Sequence, residues 1–149
     1  MNESFTIKSD TGDFLTLTLT EVFDFPDKTC AWGGYDARAE LTLKAGSFQV
    51  KSVFYTTTGE IFSFYQQLKD CNNKLKGSAI YDSYEANLKF TASYDDMGHV
   101  AIHGDFAENM ITDNKLTFSF GSDQSFIKYT LNDLTSLVAK YGDLKGVNK

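Results

Sequence analysis

Apolar and polar residues alternate along most of this chain, and the period of two gives way to helical spacing in only two places. Successive side chains of a strand point to opposite faces, so alternation marks a strand with one buried and one wet side. Ser4 to Ser9 carries Phe5 and Ile7 as a short first strand, and Gly12-Asp13 marks the turn after it. From Phe14 to Phe25, the residues Leu15, Leu17, Leu19, Phe23 and Phe25 are expected on one face, with Thr16, Thr18 and Thr20 on the other. Pro26-Asp27 ends that run, and a loop with Cys30, Trp32 and Gly33-Gly34 follows. Asp36 to Lys44 places Ala37, Ala39, Leu41 and Leu43 inward, and Ala45-Gly46 turns the chain into Ser47–Tyr55 as an antiparallel hairpin.

The period then changes. Thr57 and Glu60 have capping-box spacing, in which each side chain satisfies a free backbone N–H near the other. Ile61, Phe64 or Tyr65, Leu68, Cys71 or Asn72, and Leu75 recur at helical spacing, and Gly77 supplies the expected stop. Cys71 lies on or beside the apolar stripe and reads as a packed core thiol. Strands resume at Ser78–Asp82 and Ala86–Ser93, followed by a turn at Asp95-Asp96-Met97-Gly98. Val100, Ile102 and Phe106 line the next strand, and Leu116, Phe118 and Phe120 another, across a polar loop from Glu108 to Asn114. Leu131, Leu134, Leu137, Val138 and Tyr141 form a last helix, expected to be capped by Thr130 and Asp133 and closed by Gly142. The expected fold is mainly β within the α+β class. It is an antiparallel, two-layer, sandwich-like domain with one inserted helix and a C-terminal helix covering an open face or end. One domain spans residues 1–149, with a frayed tail over 143–149. No internal repeat is visible.

Composition narrows the function. Hydrophobic residues make up 42% of the chain and aromatics 15%, enough for a real core. Fourteen basic against 20 acidic residues leave a net charge of −6, and Arg38 is the sole arginine. Direct nucleic-acid binding is therefore not expected, because phosphate contacts need clustered Lys and Arg. A basic protein partner would be electrostatically matched. No apolar run suits a signal peptide or a membrane span, so the expected location is the cytoplasm and no membrane partner is expected. Cys30 and Cys71 are too few for a disulfide scaffold, and the Asn2-Glu3-Ser4 sequon has no meaning without secretion.

Catalytic spacing is missing. His99 and His103 are four residues apart on an expected strand, so they span about 13 Å, too far to ligate one zinc. No nucleophile elbow, phosphate loop or dinucleotide fingerprint occurs. Pairs such as Asp82 with Glu85, Asp95 with Asp96, and Asp105 with Glu108 cluster at turns, where carboxylates are usually solvated. No cofactor or metal is implied. One stretch suggests an interface: Tyr81, Asp82, Tyr84 and Glu85 precede the strand Ala86–Ser93, and Tyr94, Asp95 and Asp96 follow it. Tyrosine is common in interface hot spots, and acidic groups steer basic partners. Trp32, Tyr35 and Tyr84 leave open a carbohydrate-binding, lectin-like module, although a lone Trp beside Gly-Gly is more often a core plug. A small enzyme using His99 or His103 as base is a third reading.

The order of these features resembles the WapI-like immunity proteins, which neutralise the toxic C-terminal domains of contact-dependent or wall-associated bacterial toxins. The resemblance runs through Phe14-Leu15-Thr16-Leu17, Trp32-Gly33-Gly34-Tyr35-Asp36, Leu41 to Phe48, and Phe64-Tyr65-Gln66-Gln67-Leu68. It continues through Leu75-Lys76-Gly77-Ser78-Ala79, Met97-Gly98-His99-Val100, Leu116-Thr117-Phe118 and Gly121 to Phe126. Together these cover about residues 14–141, with Ser125 departing from an expected threonine. The resemblance implies no enzymatic activity, a cytoplasmic location and a cognate toxin domain as partner. That toxin is expected to be a basic nuclease, an RNase ahead of a DNase, blocked by stoichiometric occlusion of its active site. It supplies no set of binding residues; the two Tyr/acid clusters are the expected toxin surface, on a monomer or weak homodimer. Asp123 and Gln124 read as structural, linking the last strand to the closing helix.

Overall fold

The computed structural model describes residues 3–147. Eight strands run β1 (Ser4–Lys8), β2 (Phe14–Val22), β3 (Asp36–Ala45), β4 (Phe48–Thr57), β5 (Ser78–Asp82), β6 (Leu88–Tyr94), β7 (His99–Ala107) and β8 (Lys115–Asp123). Helix α1 (Thr58–Lys74) follows β4, and α2 (Gln124–Tyr141) follows β8. Each set of four strands is an antiparallel meander in sequence order, giving two sheets, β1-β2-β3-β4 and β5-β6-β7-β8. The expected mainly-β, two-sheet class is present. So is a repetition invisible in the residues themselves: the chain folds as two successive ββββα units.

The two inner faces meet through aromatic rings. Phe5 of β1 lies 6.5 Å from Tyr81 of β5, and Phe54 of β4 lies 6.0 Å from Phe106 of β7, centroid to centroid. Phe64 of α1 inserts between the layers, 5.9 Å from Phe5, 6.0 Å from Tyr81 and 5.1 Å from Phe90. All five of the rings Phe5, Phe54, Phe64, Tyr81 and Phe90 are essentially inaccessible to water.

Each helix protects the outermost first strand of the opposite unit. Gln67 of α1 accepts from the Ile80 N–H (3.0 Å) and donates to the Ile80 carbonyl (3.3 Å), occupying the free edge of β5. On the other side, the Thr130 hydroxyl donates to the Thr6 carbonyl (2.7 Å) and Asp133 accepts the Thr6 N–H (3.2 Å). Unpaired strand edges invite pairing with other chains, and these side chains close two of them.

Several boundaries differ from expectation. β2 stops at Val22 after a register shift between Leu19 and Glu21, so Phe23 and Phe25 do not extend its buried face. Phe25 packs edge-on against Tyr35 (5.1 Å) and Tyr141 (4.9 Å) instead. α1 ends at Lys74, before the expected Gly77, because Leu75 caps it in the left-handed conformation with φ 54°. α2 begins seven residues before Leu131, because Asp123 caps it by accepting the N–H groups of Ser125 and Phe126 (2.9 and 3.0 Å). Thr130 and Asp133 are thus helix-interior residues devoted to the β1 edge.

The tail is not frayed over its described part. Leu144 accepts the Gly34 N–H (2.7 Å), Val147 donates to the Tyr35 hydroxyl (3.0 Å), and Gly146 is buried. The sequon residue Asn2 and residues 148–149 lie outside the described residues.

Candidate functional site

The expected toxin-binding residues do not form one surface. β6, seven residues long, separates the two clusters by about 20 Å. Tyr81 leaves the surface altogether: it is fully buried, stacked on Phe90 and hydrogen-bonded to the Thr56 hydroxyl. Its inward position follows from strand parity, since β5 pairs Tyr81 with inward-facing Phe90.

At one end stand Asp82, Tyr84 and Glu85, and here the fold adds residues that sequence reasoning assigned elsewhere. The Gly33-Gly34 loop packs its backbone directly on Gly59 in the first turn of α1, where any side chain on Gly34 or Gly59 would collide with main-chain atoms. Tyr35 fastens the same junction, donating its N–H to the Thr58 hydroxyl (2.7 Å) and accepting the Thr58 N–H (2.8 Å). This clamp holds Trp32 outward, 65% exposed, stacked on Tyr84 at 5.7 Å and 17°. Trp32 is therefore a surface group and not a core plug, whereas Tyr35 is fully buried. Ile80 and Leu144 beside it are also exposed.

A hollow of about 320 Å³ opens between this loop, α1 and β5, lined by Trp32, Glu60, Ser63, Ile80, Asp82 and Leu144 among others. Two carboxylates, Glu60 and Asp82, line it, with Asp36 and Glu85 outside the lining. Among the described residues none of Asp36, Glu60, Asp82 or Glu85 forms an ion pair, although Lys89 stands opposite Asp82 in register. Glu60 closes the capping box, accepting the Thr57 N–H (2.9 Å) while Thr57 accepts its own (3.0 Å), and also accepts the Thr56 hydroxyl (2.6 Å). Burial nevertheless pushes the Glu60 carboxyl above its ordinary range, and the charge of Asp82 adds to this. The Tyr84 hydroxyl donates to Asp36 (3.0 Å), and burial together with that carboxylate raises its pKa, keeping it a neutral phenol.

The other end differs. Tyr94 is half-buried and donates to Asn72 (2.7 Å), and Asp96 is exposed. Asp95 accepts the N–H groups of Met97 and His99 (2.8 and 2.9 Å) and pairs with the His99 ring (3.1 Å), which together hold it below the ordinary carboxylate range. It borders a broad depression of about 840 Å³ on the outer face of the second sheet, floored by small residues such as Ser93, Ala101, Ser119 and Gly121. His99 and His103 share this exposed face. Among the described residues no hydroxyl or thiol hydrogen-bonds either imidazole, so no nucleophile–base pair is assembled there. No cluster of three or more metal-ligating side chains exists among them. Cys71 is buried, and that burial raises its thiol pKa, as a packed core thiol requires.

The immunity protein WapI-like family model matches residues 6–142, nearly the whole chain. The chain belongs to the WapI-like immunity protein family. No curated protein and no solved structure matches it significantly. Within this WapI-like chain, the matched span contains Trp32, Glu60, Asp82 and Tyr84, while Leu144 lies just beyond it. No described helix is long and apolar enough to cross a membrane. The sequence signals for the missed residues were ambiguous. Glu60 was legible only as a cap and Leu144 as part of a tail, while Trp32 stood open between a sugar-stacking ring and a core plug.

Proposed function

We propose that this WapI-like immunity protein neutralises a cognate bacterial toxin by forming a stoichiometric complex that occludes the toxin's active site in the cytoplasm. The toxic domain is a basic nuclease, an RNase in preference to a DNase. Membership of the immunity family carries the general reading. The net charge of −6 supports the finer one, because a nuclease that holds phosphate tends to be basic and is attracted by an acidic inhibitor. The carboxylates around Trp32 add a local reason: they are concentrated and unpaired, so a basic partner gains from them at close range.

The test is co-expression with the toxin domain encoded beside this chain. The expected outcome is cell survival, a one-to-one complex on purification and association that slows steeply as salt rises. Absence of both complex and protection refutes the reading. A lectin-like module remains as the second reading, now resting on the outward-facing Trp32 stack, since exposed aromatic rings can lie against sugars. A glycan array without a hit removes it.

A further inference from the structure

We infer that the hollow beside Trp32 is the anchor point for the toxin and receives one arginine side chain from it, the guanidinium lying against the indole and donating to Asp82. The inference rests on the immunity reading and says where, and by what chemistry, the partner is held.

Three observations converge on it. First, Trp32 is the chain's only tryptophan and is 65% exposed, in a molecule whose other large aromatics are mostly committed to the core. Exposed Ile80 (44%) and Leu144 (47%) adjoin it, so the middle of the surface is apolar. Fully desolvated aromatic anchors of this kind dominate interface energetics.

Second, that apolar centre is flanked by two carboxylates and by no cation in its lining. Asp82 and Glu60 line the hollow, and neither is ion-paired within the chain. The strain of this arrangement is visible at Glu60, whose ionised form is disfavoured by burial and by Asp82. A cation entering the hollow relieves that repulsion. At about 320 Å³ the hollow lies at the small end of the range for ligand pockets and has room for one long side chain. Arginine fits better than lysine, because its planar guanidinium can stack on an indole while its edge donates to a carboxylate.

Third, the surface is rigid before binding. The Gly33-Gly34 contact with Gly59, the Gly34 bond to Leu144 and the Trp32–Tyr84 stack fix its walls from four separate parts of the chain. Preorganised walls reduce the ordering cost of association. The Asp95 end lacks this character: its carboxylate is already satisfied by two backbone N–H groups and an imidazole.

The experiment uses the full chain labelled with 5-fluorotryptophan, which reports Trp32 alone, and the purified toxin domain encoded beside it. Calorimetry on Trp32→Ala, Asp82→Lys and, as a control at the far end, Asp96→Lys accompanies the fluorine spectra. The expected result is a shifted, solvent-shielded fluorine signal in the complex. Trp32→Ala and Asp82→Lys should each weaken Kd at least tenfold, with Asp96→Lys within twofold of the unmodified chain. All three replaced side chains are on the surface, so unchanged melting temperatures confirm intact folds. A complex that forms with an unmoved fluorine signal overturns this inference and leaves the immunity reading standing. Loss with Trp32→Ala but not with Asp82→Lys keeps the aromatic anchor and overturns the arginine. No complex with any form of the chain overturns both.

Discussion

Glu60 and Asp123 occupy similar places in the two ββββα units and behave in opposite ways. Each carboxylate accepts backbone N–H groups at the start of the helix that follows a fourth strand, Glu60 at the third helical position and Asp123 at the cap. The positive end of a helix favours ionised acids, so both should titrate low. Asp123 does, helped by the Ser125 hydroxyl and the Phe126 and Ser125 N–H groups. Glu60 does not, because it is largely buried and faces Asp82. Shared local chemistry is overruled by what the other sheet brings alongside. In one unit the acid merely holds a helix; in the other it also leaves negative charge without a counter-ion beside the one exposed tryptophan.

The comparison breaks most visibly through its glycines. Gly34→Ala should destabilise the fold by about 3 kcal/mol, since φ is +69° and the new carbon would meet the backbone of Gly59. Gly121→Ala, on the open floor of the other depression with nothing within 4 Å, should stay within about 0.5 kcal/mol. Denaturant titration of the two variants measures the difference, and similar losses would show that the Gly34 contact is not the clamp described here.

Next in size is the cap of α2. Asp123→Ala should cost about 1 kcal/mol, while Asp123→Asn retains most of the cap. Because folding lowers the pKa of Asp123, its contribution is complete above about pH 4 and disappears as pH falls through the lower folded value. Melting curves between pH 2 and 5, as about the range that matters, should therefore converge for native and Ala forms at the acid end.

The smallest effect sharpens the Glu60 side. Folding raises its pKa, so the fold is favoured while Glu60 is protonated, and stability falls as pH rises from about 4.3 through the raised value. Asp82→Asn removes a like charge and should move the Glu60 titration downward, followed by carboxyl carbon chemical shifts. An unmoved titration would mean that burial alone sets it.

How much of this was legible depended on whether a feature was local. The Thr57–Glu60 capping box, the β3–β4 hairpin and the buried stripe from Ile61 through Phe64 and Leu68 to Cys71 follow from neighbours a few residues apart and are present, although Leu75, expected to continue the stripe, is exposed at the helix end. Asp123 was legible as a structural linker, but its helix was expected to begin near Thr130, where apolar periodicity becomes strong. A cap acts at the first turn, whether or not that turn is apolar. Thr130 and Asp133 looked like caps because they are cap-forming residue types; they serve β1 across the molecule instead.

Alternation by itself determined the mainly-β class and most of the strands with their inward residues, but not the ends, where Phe23 and Phe25 leave the buried face of β2. Family-like order along the chain, carried by those same local elements, pointed to an immunity protein, and the family match agrees. Tertiary structure decided which aromatics outside the clear alternation are surface, and it paired β5 with β6 so that the parity of Tyr81 points inward. Tyr81 is buried and Trp32 exposed, although both sit among polar neighbours, since one is aimed between the sheets and the other is held out by a glycine contact with α1. It also gave the two Tyr/acid clusters at the ends of β6 different characters, one self-satisfied and one open. Solvent access and uncompensated charge depend on groups far apart in sequence, and only the packing of four separate segments brings Trp32, Glu60, Asp82 and Leu144 to one hollow.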